Sequence, residues 1–278
     1  MRFLLPLLLL GLIGCSGVQE VYDLKNQGKL DQAWAKSIQV IERGNADHQR
    51  EATPIAVELA LQIGKQYPTG KALNGQLEGA DSRLQVVLLE GIDQLAYKPA
   101  RQTILKSLEE MSEPAARQAG ATLAQLGPDS LRQLLEAFEK ADDKNSYETA
   151  LLGAGGAGVD VLTKNLAQKK WKAKKQRIAL LGRFQSEEAA AALLKHLHGD
   201  AADAAQEALA RMGKHALLAI GVALEQDQLN PRQKVGAAKA LGAIGEREAI
   251  PLLEKLGQDK DPNARAEAER SLSLIRGF

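Results

Sequence analysis

The sequence predicts an all-α solenoid of stacked antiparallel helical hairpins, and three observations predict it. Turn-forming positions recur at a near-constant interval along most of the chain. Between them, apolar residues fall at helical spacing in paired segments. The composition is rich in Ala, Leu, Gln, Glu, Lys and Gly with only 4% aromatic residues, which favours helices that meet through small side chains. A net charge of +1 over 278 residues supplies no bulk attraction to nucleic acid, so any charged surface must be local.

The chain opens with Met1 and Arg2, then an apolar run from Phe3 to Leu10, then Gly11-Leu12-Ile13-Gly14-Cys15. A membrane-spanning helix needs roughly 20 apolar residues, so a single charge followed by this shorter run reads as a signal peptide. Leu12-Ile13-Gly14-Cys15 resembles the lipobox of bacterial lipoproteins. The resemblance implies removal of residues 1–14, lipidation of Cys15 by acyl chains such as palmitate, and a short lipidated tether over 15–20. Each buried methylene adds ~0.8 kcal/mol, so several chains anchor stably. Ser16 stands where a retention signal would have Asp, which by the same resemblance implies the outer membrane, facing the periplasm. Cys15 is the only cysteine, so the chain has no internal disulfide. The alternative is an ordinary secretory or anchor segment with an incidental cysteine.

Residues 21–50 are expected to form an N-terminal helical cap that hides the apolar edge of the stack. Within it, Gly28-Lys29-Leu30-Asp31-Gln32-Ala33-Trp34-Ala35 is similar to half of a tetratricopeptide hairpin. Residues 51–278 hold the repeats. Turn positions at Gly64, Ala96, Gly127, Gly158, Gln185, Gly213, Gly245 and Gly277 are separated by 32, 31, 31, 27, 28, 32 and 32 residues. Second helices are expected near 99–111, 129–141, 159–168, 186–198, 214–226 and 246–257, with apolar stripes such as Leu131, Leu134, Leu135 and Phe138 facing the next hairpin.

The C-terminal units show why each one is a hairpin. Asn230 and Asp261 can cap helices whose first turn holds Pro231 or Pro262, where a missing N–H costs nothing. Ala237, Ala240, Leu241 and Ile244 share one helical face, and Gly245 permits a tight break before the second helix. Asp259-Lys260-Asp261-Pro262-Asn263-Ala264-Arg265, together with Leu241-Gly242-Ala243-Ile244-Gly245, resembles the HEAT-repeat family in its bacterial HEAT-like form, most densely from about 175 to 278. That resemblance implies a right-handed α-solenoid whose long surface docks proteins.

Little in the sequence carries reaction chemistry. Gly153-Ala154-Gly155-Gly156-Ala157-Gly158 matches GxGxxG, yet the preceding segment reads as helix and position 178, where a dinucleotide fold wants an acid, is Ile. A glycine-softened turn between two helices fits better. His196 and His198 point about 200° apart on a helix, and neither a His-Glu-x-x-His pattern nor a nucleophile elbow is present. No catalytic residue, metal or cofactor is therefore expected. Some HEAT-like proteins resemble bilin lyases or DNA glycosylases, but the export signal argues against those substrates.

The most unusual segment is basic. Lys169, Lys170, Lys172, Lys174, Lys175 and Arg177 put six positive charges in nine residues around Trp171, with Lys164 just before and no acid between Asp160 and Glu187. As a loop between repeats, the cluster suits anionic lipid, polysaccharide or an acidic protein; an exported protein is not expected to meet nucleic acid. The expectation is a membrane-anchored scaffold that binds a protein through this cluster and through exposed second-helix residues such as Arg132, Glu136, Lys195 and Lys255. The alternative is a pilotin-like lipoprotein that assists assembly of an envelope machine.

Overall fold

Caps, turns and small-residue contacts build this chain from local rules. In the computed structural model residues 17–164, 166 and 169–277 are described, and every regular element among them is a helix. Cys15 and the whole signal segment lie outside the described residues, as does the side chain of Trp171. No helix among the described residues is long and apolar enough to cross a membrane. The chain divides into two compact units, one up to Gln118 and one from Ala119.

In the first unit, α1 (Gly17–Asn26) pairs with α2 (Leu30–Arg43), α3 (Ala46–Ile63) with α4 (Gln66–Gln76), and α5 (Ser82–Gln94) with α6 (Arg101–Ser107), which is flanked by 3-10 turns. First helices α1, α3 and α5 stack on one another, and second helices α2 and α4 form a parallel row. Asn45 and Asp81 cap α3 and α5 by accepting backbone N–H groups of His48 and of Arg83 and Leu84. Gly64 closes α3 in the left-handed conformation at φ 74°, and Ala96 takes the same role after α5 at φ 47°. Fully buried Ile41, Leu59, Leu73, Leu88 and Ile92 fill the space between the rows. Two boundaries differ from expectation. Of the segment expected as a tether, residues 17–20 are already helical and Val18 is buried. The first hairpin also ends at Arg43 rather than at 50, because Asn45 already starts α3.

The division falls within α7 (Glu113–Gln125), and the second unit holds α8 (Pro128–Lys140), α9 (Asn145–Gly153), α10 (Gly156–Thr163), α11 (Trp171–Leu181), α12 (Glu187–Leu194), α13 (Ala202–Met212), α14 (Lys214–Glu225), α15 (Pro231–Ile244), α16 (Ile250–Leu256) and α17 (Pro262–Arg276). First helices α11, α13, α15 and α17 stack in one row, and second helices α8, α10, α12 and α14 in another. Tight turns at Gly127, Gly213 and Gly245 have positive φ, as expected. The contacts between first helices are close because small residues meet there. A Cβ built on Gly120 of α7 would lie 1.7 Å from the Ala150 carbonyl oxygen of α9. The fold is thus an all-α stack of antiparallel hairpins of HEAT-like kind.

The fourth of the expected turns, at Gly158, corrects the register. The break between α9 and α10 falls at Gly155, with φ 56°, and Gly158 lies inside α10. Gly158 is needed for packing rather than for turning: a Cβ there would meet the Leu151 carbonyl oxygen at 2.3 Å and the Phe184 ring at 3.0 Å. As a result α10 runs over 156–163 instead of 159–168; separately, α12 ends at Leu194 instead of 198.

Candidate binding surface

Between second helices α8 and α10 the surface opens into a cleft of about 590 Å³. On the α10 side its wall is Ala157, Asp160 and Val161, from a helix that opens with Gly156. Leu131, Leu135 and Val161 line the cleft, and Arg132, Glu136 and Lys164 stand among the charged residues around them. Arg132 donates to Glu136 at 3.1 Å and to Asp129 at 3.4 Å, which fixes it on the exposed face of α8. A smaller cavity of about 400 Å³ lies between α12 and α14, with Lys195 among its lining residues. Lys195 is exposed, and so is Lys255 on α16.

The basic cluster is not the solvated loop its composition predicts. From Trp171 onward it is helix α11, the first helix of a hairpin. Helical spacing turns Lys174, Arg177, Ile178 and Leu181 inward and leaves Lys172 and Lys175 exposed. Arg177 is only 3% exposed; its Nε and Nη2 donate to Glu139 Oε1 at 2.8 and 2.5 Å. Its Nη1 donates to the carbonyl oxygens of Leu162 and Lys164 at 3.3 and 3.2 Å, so the guanidinium also closes the C-terminal end of α10. Lys174 donates to both carboxylate oxygens of Asp200 at 3.0 and 2.9 Å. That hydrogen bond holds the Asp200 carboxyl below its usual range. Burial, and then the charges of Lys174, His198 and Lys195, push the His196 imidazole below its ordinary value.

The expected partner-binding set therefore divides. Lys174 and Arg177 are buried and held by Asp200 and Glu139, and Arg177 forms part of the cleft wall. Lys169 sits 3.8 Å from Glu139 at the edge of the cleft. Lys170, Lys172 and Lys175 are exposed, and no ion pair holds them among the described residues. Glu139 and Asp200 escape a reading of the sequence because they lie 38 and 26 residues from the cations they neutralise. The one available signal is the helical phase that puts Lys174 and Arg177 on the same side as Ile178 and Leu181. The glycine-rich stretch 153–158 is a turn and the start of α10, with no strand before it. No cluster of metal-binding side chains occurs among the described residues.

Comparison with known proteins adds a repeat and a distant likeness. The family described as PBS lyase HEAT-like repeat matches residues 234–256, which cover most of α15 and all of α16. No curated protein matches the chain. Among solved structures, human deoxyhypusine hydroxylase in complex with glycerol is similar at 17% identity, over 92% of this chain and 100% of that one, with a TM-score of 0.37. The hairpin α15–α16 is thus a HEAT-like repeat, and the fold is of the kind that serves protein interaction.

Proposed function

We propose that this chain is a non-catalytic, membrane-anchored scaffold of the bacterial cell envelope, held by lipid on Cys15 to the periplasmic side of the outer membrane. It docks a partner protein on its second helices. The observation that carries the docking is the cleft between α8 and α10, which combines an apolar lining with charges already set in place by neighbours. An apolar centre with a polar rim is the anatomy of protein interfaces, where the centre supplies affinity and the rim supplies register. Anchoring rests on Leu12-Ile13-Gly14-Cys15.

Two experiments test the two halves separately. A photo-crosslinking residue at Arg132 or Lys164, in intact cells, should give one discrete adduct that the same residue at Lys172 on α11 does not give. Identical patterns from both faces, or none from the cleft, would remove the docking assignment. A fatty-acid label should enter the wild-type chain and be absent from Cys15→Ser. Equal labelling of the two would remove the anchor and leave the docking result standing.

A further inference from the structure

Among the large apolar side chains that the fold leaves exposed, two lie one turn apart on a single helix. Leu218 is 52% exposed and Val222 47% exposed, both on α14. Exposed Lys214 stands one turn before them and exposed Glu225 about one turn after them. On a helix these four side chains and Gly221 form one stripe. The apolar pair and the charged pair share a midpoint next to Gly221, with a base at one end and an acid about 16 Å away at the other.

The neighbouring second helices carry the same kind of pattern in reverse. Exposed Glu188 and Lys195, seven residues apart, mark the two ends of α12. Glu248, on the 3-10 turn leading into α16, and Lys255 near its end do the same, again seven residues apart. Short turns make α12, α14 and α16 run in one direction, each opposite to the first helices between them. None of these six charged side chains is held in an ion pair among the described residues.

We infer that this face docks a second copy of the chain, with α14 antiparallel to α14 about a twofold axis passing beside Gly221. In that arrangement Leu218 of each copy meets Val222 of the other, and Lys214 meets Glu225, twice. Each flanking helix lies over its own counterpart reversed, so Glu188 faces Lys195 and Glu248 faces Lys255. The parallel alternative sets Lys214 on Lys214 and Glu225 on Glu225, and lays α12 on α16 with Glu188 opposite Glu248. Like charges directly opposed destabilise an interface, so the charge pattern selects one orientation. Gly221 permits close approach at the axis: a Cβ there meets only Leu252 Cδ2, at 3.6 Å. The inference rests on α12, α14 and α16 alone and does not depend on the partner reading. It assigns Lys195 and Lys255 to contacts with the second copy.

Sedimentation of the full chain over a concentration series tests it. The expected mass at high concentration is two chains. Lys214→Glu and Glu225→Lys should each weaken the dimer about tenfold or more, and the two together should restore it. These positions are exposed, and a circular dichroism spectrum checks that each variant folds. In a separate arm, Gly221→Cys in the otherwise native chain should form a disulfide between the two copies of residue 221, located by mass spectrometry, whereas Lys214→Cys should not crosslink to itself. A single-chain mass at every concentration, a dimer indifferent to the single reversals or not restored by the double one, or crosslinking at 214 in place of 221, would overturn the inference.

Discussion

The hairpins α15–α16 and α9–α10 occupy equivalent places in the same stack but are held in different ways. The first is self-sufficient. Asn230 and Gln233 exchange side-chain and backbone hydrogen bonds in a capping box, Pro231 opens the helix, and Gly245 closes it in the left-handed conformation. The second has no capping box, with Asp143 alone accepting a backbone N–H at the start of α9, and it has three glycines within four residues around its turn. Its end is closed from outside by Arg177, which bonds the carbonyl oxygens of Leu162 and Lys164 while paired to Glu139. A stack can carry a weak unit when a neighbour supplies what that unit lacks, and here the weak unit is the one that leaves room for the cleft.

The comparison breaks most visibly at Arg177. Arg177→Met should destabilise the chain by about 3 kcal/mol in chemical denaturation, because it leaves a mostly buried Glu139 with only Lys169 at 3.8 Å and frees two carbonyl groups. Arg177→Lys should recover little, since one ammonium cannot reproduce contacts made by three guanidinium nitrogens. Removing the best local signal should matter less. Asn230→Ala deletes the cap of α15 and should cost about 1 kcal/mol, seen as a lower midpoint with unchanged slope. The smallest effect sharpens the contrast from the other side. Gly156 is helical with open space around its Cβ direction, so Gly156→Ala should stabilise the chain by roughly 0.5–1 kcal/mol.

The same contrast explains what a reading of the sequence reaches. Helix starts at Asn230 and Asp261, and turns at Gly64, Ala96, Gly127, Gly213 and Gly245, follow from local chemistry, and the structure has them there. Gly158 breaks the register because its glycine serves close packing against Leu151 and Phe184, a requirement set by residues elsewhere in the chain. The candidate site was legible in its exposed members Arg132 and Glu136, because polar residues opposite an apolar stripe mark the outer side of a helix. The cleft itself was not, since it joins α8 and α10, whose lining residues lie about 30 positions apart. The basic cluster misleads because its counter-charges come from Glu139 and Asp200, across the fold.

Hydrogen exchange on the wild-type chain and on Arg177→Met tests most directly whether the hairpin beside the cleft is held from outside. In the variant, amides of residues 156–164 should lose about 100-fold in protection while those of 231–256 keep theirs. Equal loss in both hairpins, or unchanged protection in 156–164, would contradict it.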